Sequence, residues 1–365
     1  MRFLMLNWRD PRNPLAGGAE RVTEAYLRAL LARGHEVAWF ANAFEGASKE
    51  EDLDGLQVVR GGGKFTSWMS ARRWVRQQQS FDLIIDQHHG IPWYAPWWTK
   101  TRVVAYIHEV LGPIWSSFYP WPISALGRWQ ERQTLWRYRR TPFWTGCQFT
   151  CDQLKSLGVE SVVPVSYGVD IEALAELDDK PLTQPLRLIV VSRLAPNKRV
   201  DHAIGAVEKL REQGVKVNLQ VVGDGQERTA LGQLVEKLEL QAEVEFLGRL
   251  AEEQKDAALR EAHLLLHTSV REGWGLNVTE ANAMGTPAVV YPVPGLEEST
   301  LHGKTGLVSE EESPESLATA MRTVLKQPED YQKWRVAALD RARSLHWDNV
   351  LPDACDQLEA WARGE

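Results

Sequence analysis

The sequence is poor in the features that would set it apart from ordinary globular chains. It has three cysteines in 365 residues, Cys147, Cys151 and Cys355. So few, and an odd number, exclude a disulfide-stapled small domain and fit a reducing cytoplasm. Cys147 and Cys151 lack the second pair that a zinc site of that spacing needs, so both read as structural. His88, His89 and His267 do not fall at zinc-ligand spacings either. No apolar run approaches membrane-spanning length, and the apolar start Met1–Leu6 is broken by Asn7, Arg9 and Asp10, too early for a signal-peptide core. The G-x-G-x-x-G fingerprint of dinucleotide binding is missing, which weakens a dehydrogenase reading. Asp52-Leu53-Asp54 is the one D-x-D; it sits in a stretch, Lys49–Gly55, that reads as a charged surface loop far from any strand end, so no obligatory metal is expected. A net charge of −7 argues against nucleic-acid binding.

That charge is unevenly spread. Residues 1–150 hold 19 Lys/Arg against 13 Asp/Glu, a balance of +6; residues 151–365 hold 23 against 36, a balance of −13. Two halves of opposite sign imply two domains with different partners. The periodicity agrees. Phe3–Asn7 reads as a buried strand, Ala19–Arg33 as an amphipathic helix and Val37–Ala41 as a second strand, with Leu83–Ile85 and Val103–Ile107 continuing the alternation. The pattern restarts at Leu186–Ser192 and runs through helix Val200–Gln213, strand Val217–Val222, helix Arg228–Leu238, strand Val244–Leu247, helix Glu252–Ala262 and strands Leu264–His267 and Ala288–Tyr291. This predicts an α/β protein of two doubly wound, Rossmann-like parallel-sheet domains facing across a cleft. The expected division is 1–170, 171–345 and a C-terminal helix, 346–365, that crosses back to the first domain.

The chemistry gathers in Arg271-Glu272-Gly273-Trp274-Gly275-Leu276-Asn277-Val278-Thr279-Glu280. Gly273 and Gly275 allow backbone to approach a ligand, and the helix that follows offers amide groups and a partial positive charge to a phosphate. Eight helical residues rise about 12 Å, whereas the carboxylates of a retaining hydrolase stand about 5–5.5 Å apart. Glu272 and Glu280 therefore read as ligands of a nucleoside-diphosphate moiety rather than as a hydrolytic pair, with Glu280 placed to accept from a diol. Arg193 and Lys198, in the loop after strand Leu186–Ser192, are the cations that could neutralise a diphosphate; solvated surface charge is the alternative. Gly223 and Gly225, in Val222-Gly223-Asp224-Gly225, permit either close approach to a ligand or a plain turn. Leu247 ends a strand whose backbone could read a nucleobase, a core role being the equal alternative. Gly17-Gly18-Ala19-Glu20 opens a helix, either as an anion site or as an ordinary start with an acid in its first turn. His108, at the end of Val103–Ile107, is either a sugar contact or a structural histidine.

The aromatic content is lopsided. Trp93, Trp97, Trp98, Trp115, Trp121, Trp129, Trp136 and Trp144 fall in one stretch, with Arg128, Arg132, Arg137, Arg139 and Arg140 interleaved near its end. Trp with Arg suits an anionic membrane interface or sugar stacking; a bulky core beneath a basic helix face is the alternative.

In order and spacing, these elements resemble the retaining glycosyltransferases of family 4, over essentially the whole chain. Gly17-Gly18-Ala19-Glu20 is similar to that family's N-terminal glycine-rich loop, Ser192-Arg193 with Lys198 to its diphosphate clamp, Glu272 to Glu280 to its E-x7-E element, and Gly303-Lys304-Thr305-Gly306-Leu307-Val308 to its G-x-x-G-x-L/V segment. Trp274 departs from a common phenylalanine and is expected to crowd the sugar pocket. The resemblance implies the GT-B fold and a metal-independent, retaining hexosyl transfer from a UDP- or GDP-linked sugar to a glycan or to a polyprenyl- or other lipid-linked acceptor. By resemblance, Glu280 holds the donor ribose, Glu272 the donor sugar, Gly275 and Leu276 the diphosphate, and Arg193 and Lys198 the departing nucleotide. Gly273, Trp274 and Asn277 belong to the same donor-binding segment. His108 stands near the sugar and Gly18 near the phosphates. A cytoplasmic protein follows, with peripheral membrane contact through residues 93–144 at the inner face. No cofactor and no nucleic-acid partner are expected. The alternatives are a nucleotide-sugar epimerase of the same fold and a non-catalytic nucleotide-binding module.

Overall fold

A computed structural model describes residues 1–63, 66–89, 91–112, 114–168 and 172–365. The chain divides into two units, Met1–Gly168 with Trp347–Glu365, and Val169–His346. The expected boundary at 170/171 lies outside the described residues.

The first unit runs β1 (Arg2–Leu6), α1 (Gly18–Ala32), β2 (Glu36–Ala41), β3 (Glu50–Leu53), β4 (Leu56–Arg60), α2 (Ser67–Val75), β5 (Leu83–His88), β6 (Arg102–Ile107), α3 (Ile114–Phe118), α4 (Ile123–Tyr138), β7 (Phe143–Thr145), α5 (Gln148–Ser156) and β8 (Val162–Pro164). Its sheet has the order β3-β4-β2-β1-β5-β6-β7-β8. Phe3, Leu4, Met5 and Leu6 are all buried, since helices cover both faces of a central parallel strand. Strand order reverses between β1 and β5, so the loops after these two strands open the crevice where such sheets bind ligands.

The loop expected over Lys49–Gly55 is a loop only in part: Asp52 lies on an exposed position of β3, and Asp54 in an exposed turn. Glu50–Leu53 pairs antiparallel with β4, and Asp54-Gly55 is a two-residue hairpin turn with both residues at positive φ, 50° and 87°. Asp-Gly is a strong short-range hairpin signal, outweighed in the reading by the charge around it. Asp52 accepts from the Gly55 amide at 2.9 Å, so this carboxylate serves the turn.

The second unit runs β9 (Leu186–Val191), α6 (Val200–Glu212), β10 (Val217–Val222), α7 (Arg228–Lys237), β11 (Val244–Gly248), α8 (Glu252–Glu261), β12 (Leu264–His267), α9 (Leu276–Ala283), β13 (Ala288–Val290), α10 (Pro294–Ser299), β14 (Gly306–Val308), α11 (Pro314–Leu325) and α12 (Pro328–Ser344). Its six parallel strands lie in the order β11-β10-β9-β12-β13-β14. The switch point here falls between β9 and β12. The loops after those strands are the ones that carry Arg193 and Lys198, and Glu272 to Gly275.

The last helix, α13 (Trp347–Arg363), belongs to the first unit. Trp347 meets the ring of Tyr26 edge-on at 5.5 Å, and Arg33 of α1 donates to Asp356 and Glu359.

Candidate active site

In the second unit the two switch-point loops are stitched together by backbone. The Val270 amide donates to Asn197 O at 2.9 Å, and the Thr268 hydroxyl lies 2.8 Å from Arg199 O. Arg199, in the left-handed region at φ 47°, returns its guanidinium to Thr268 O and Ser269 O and stacks over Tyr291. This seam brings Lys198 and Glu272 into a direct ion pair. The Ser269 hydroxyl donates to the same Glu272 oxygen at 2.7 Å, and His267 Nε2 lies 3.5 Å from it. Burial pushes the Glu272 carboxyl up, but the Lys198 ammonium, His267 and the hydrogen bonds from Lys198 and Ser269 outweigh it and hold it at about 2. Burial, with Lys198 assisting and Glu272 opposing, lowers His267 to about 4, so it is neutral near pH 7. The Ser192 hydroxyl and the Asn197 side-chain oxygen Oδ1 of the same loop are buried without a hydrogen-bond partner among the described residues. Unsatisfied buried polar atoms concentrate where a ligand completes the set.

Glu272 leads into α9. Gly275 caps that helix at φ 91°, a conformation that disfavours any side chain, and among the described residues no side chain caps its first amides. The Asn277 amide group donates to Val191 O at 2.8 Å, fastening the start of α9 to the end of β9. Leu276 is the first residue of α9, and Gly273 lies in the turn before it. Glu280, one turn further, pairs with Lys255 of α8 at 3.2 Å. Arg193 is exposed; its carbonyl accepts from the Ala195 amide at 2.9 Å, and its side chain makes no hydrogen bond or ion pair among the described residues.

The structure redistributes other expected roles. Trp274 packs inward: it is 5% exposed, donates from its indole nitrogen to Thr279 at 3.0 Å, and has Arg341 on its face at 5.8 Å. Gly223 and Gly225 are required by neighbouring backbone. A Cβ at Gly223 would stand 1.9 Å from Ser192 O, and one at Gly225 2.3 Å from Leu194 O. They seat the Arg193 loop. Leu247 is a half-buried member of β11. Gly303–Val308 forms the turn into edge strand β14, where Leu301 N donates to Thr305.

In the first unit, Gly17 precedes α1 and Gly18 begins it. Glu20, 2% exposed, folds back to accept from the Gly17 amide at 2.7 Å. His108 is held at both ring nitrogens, Nδ1 by the Tyr167 hydroxyl at 2.7 Å and Nε2 by the Gln87 amide at 3.0 Å. Burial, with the neighbouring His89, lowers its pKa to about 3, so it is a neutral, fixed group. Gln87 also reaches His89 at 3.2 Å.

The sequence reading missed Ser269, His267 and Lys255 as partners of the two acids. Only Lys255 left a signal, a lysine three residues after Glu252 on one helix face. The three cysteines are separate, buried thiols, and among the described residues no group of three His, Cys, Asp or Glu could hold a metal ion.

Two family models match consecutive parts of the chain: "Glycosyltransferase Family 4" over residues 16–173 and "Glycosyl transferases group 1" over residues 176–341. The chain belongs to glycosyltransferase family 4. It is an enzyme of the glycosyltransferase class with the GT-B fold. Among curated family relatives, it is 26% identical over 402 residues to a glycogen synthase of Mycobacterium tuberculosis, covering all of this chain and 96% of that protein. It is 28% identical over 223 residues to a GDP-mannose-dependent alpha-(1-6)-phosphatidylinositol dimannoside mannosyltransferase of the same species, covering 59% of this chain and 56% of that protein. Among solved structures, sucrose-phosphate synthase from Thermosynechococcus elongatus superposes with TM-score 0.82 at 17% identity, with full coverage of both chains. Anabaena HepE in complex with UDP and glucose gives 0.74 at 18% identity, covering 99% of this chain and all of that one.

Proposed function

We propose that this family-4 glycosyltransferase transfers a hexose with retention of configuration from a UDP- or GDP-linked donor. The observation that carries the reading is in the second unit: the Lys198 ammonium and the uncapped amides of α9 lie on adjoining loops of one switch point. A helix start and a cation together favour a diphosphate, and most strongly one gaining charge as a leaving group. Lys198, Arg193 and the amides of Gly275 and Leu276 take the diphosphate, so no metal is required. Glu272, ionised and oriented by Ser269 and Lys198, accepts hydrogen bonds from the donor sugar, and Glu280 from the ribose. A leaving phosphate oxygen takes the acceptor proton while the sugar passes through an oxocarbenium-like state.

The relative that names GDP-mannose and the neighbour solved with UDP support a nucleotide-sugar donor. The test is a thermal-shift panel of UDP, GDP and ADP, followed by NMR of the transfer product. One nucleotide should raise the melting temperature, the rise should shrink without vanishing in Lys198→Ala, and the product should keep the donor's anomeric configuration. An inverted product would remove the retaining mechanism.

The acceptor reading comes from α4. Its buried face carries Ser124, Glu131 and Thr134, while Ile123, Leu126, Trp129 and Trp136 are exposed beside Arg132 and Arg137. Trp121, just before it, is 80% exposed. An exposed apolar stripe rimmed by arginines fits a lipid-linked acceptor at an anionic membrane surface. No described helix is long and apolar enough to cross a membrane. Each basic residue near an anionic leaflet contributes about 1 kcal/mol. Co-sedimentation with phosphatidylglycerol vesicles but not with phosphatidylcholine vesicles is therefore expected, and equal partitioning would argue for a soluble acceptor.

A further inference from the structure

Glu280 sits among acids. Lys255, on α8 and 8% exposed, places its ammonium 3.2 Å from Glu280 Oε2 and 2.6 Å from Glu252 Oε2. Burial works against the Lys255 charge, but Glu280 and Glu252 outweigh it and keep the lysine protonated beyond its usual range. Asp256, the next residue, feels the same group: burial raises its carboxyl, Lys255 opposes, and the Glu252 and Glu280 charges add to the rise. One cation thus pairs with two carboxylates from neighbouring helices. Without it, the Glu280 and Glu252 charges would lose their shared counter-ion and repel. A carboxyl that protonates or swings away from its neighbours no longer offers a diol a charged acceptor in a fixed place.

We propose that Lys255 is a positioning residue of the nucleotide site: it holds the Glu280 carboxylate in place against its acidic neighbours and so sets the preference for a ribose over a 2′-deoxyribose nucleotide. The inference rests on the reading that Glu280 takes the ribose hydroxyls. A lysine that merely ties α8 to α9 would affect stability and overall affinity, but it would not alter discrimination between two ligands that differ by one hydroxyl.

The experiment is calorimetric titration with UDP and 2′-deoxy-UDP, and with GDP and 2′-deoxy-GDP, on the full chain. Wild type should prefer the ribonucleotide by about 10- to 150-fold, the equivalent of one hydrogen bond to a charged group. Lys255→Met should cut that preference to about three-fold or less, mostly through weaker ribonucleotide binding. Lys255→Arg should keep most of it. If Lys255→Met does not fold, Lys255→Gln, which keeps a donor without the charge, gives the same reading. Lys255→Met or Lys255→Gln retaining the full wild-type preference overturns the inference, whatever happens to overall affinity. If Glu280→Gln also retains it, the ribose reading of Glu280 has failed; if Glu280→Gln loses it and the Lys255 variants do not, only the role of Lys255 has failed.

Discussion

α1 and α9 start alike and end up different. Each follows a glycine-rich loop at the switch point of a parallel sheet, and each has glycine at its N-cap, Gly17 and Gly275. In α1 the third helical residue is Glu20, whose carboxylate turns back onto the Gly17 amide at 2.7 Å. In α9 the third residue is Val278, which cannot reach back, and Asn277 is committed to Val191 O. The Glu20 carboxylate takes one amide and sets an acid at the start of α1, where it opposes a phosphate, whereas α9 has no acid in its first turn. The third helical residue sets the charge that each helix start presents, an acid in α1 and an apolar side chain in α9. The backbone separates the two as well. Gly17 has φ −144°, open to any residue, while Gly275 stands at φ 91°.

The comparison breaks first at Lys198. If α9 binds the diphosphate, the ammonium beside it stabilises charge that grows as the nucleotide leaves, and its loss should show mainly in turnover. Removing one such electrostatic donor costs about 100- to 1,000-fold in kcat. Lys198→Ala is expected to fall in that range with a smaller change in donor KM, measured by steady-state transfer. The same variant frees Glu272 from its main ionic partner. An effect confined to KM would mean that Lys198 holds the ground state only.

Much of this was open to reading from the residues, and the misses have physical causes. Val217–Val222 and Leu264–His267 match the observed strands end to end, the first by alternating buried apolar residues with Asn218 and Gln220, the second by an apolar run closed by His267. The eight-residue spacing of Glu272 and Glu280 also located α9. What the sequence could not display was tertiary. Ser269 and His267 meet Glu272 only because the loops after β9 and β12 are stitched side by side. Lys255 meets Glu280 only because α8 lies against α9. The tryptophan stretch was mixed in the sequence and is divided in the structure: Trp93 and Trp144 are core, while Trp97, Trp121, Trp129 and Trp136 are exposed. The hairpin of Glu50–Arg60 was missed because its charges outweighed its Asp-Gly turn.

A smaller effect separates the two glycines. Alanine at Gly275 would have to adopt a left-handed backbone and would put its Cβ 2.7 Å from Leu296 Cδ2. The backbone cost is about 1–2 kcal/mol, so Gly275→Ala should lower stability by at least that and weaken nucleotide binding in the same thermal-shift assay. At Gly17 the added Cβ meets only Glu20 Oε2, at 3.9 Å. Gly17→Ala should change stability by less than about 0.5 kcal/mol, as for a surface substitution without a named defect. Equal losses in chemical denaturation would mean that α9 is no more constrained than α1.

The finest distinction lies within α9 itself, between the backbone that would meet a ligand and the side chains that hold it there. Trp274 was expected to crowd the sugar pocket, yet its ring is buried and its indole nitrogen satisfies Thr279, itself 1% exposed. Trp274→Phe would remove that donor and leave the Thr279 oxygen without it in a closed site. A hydrogen bond of this kind contributes about 0.5–1.5 kcal/mol, and the smaller ring adds a cavity term of similar sign. The variant should therefore unfold at lower denaturant while its donor KM stays within about two-fold of wild type. A KM that moves further at unchanged stability would place the tryptophan against the sugar after all. The reverse pattern would show that this part of the E-x7-E segment acts on the donor through its backbone, with Trp274 as the anchor that keeps the turn before Gly275 in position.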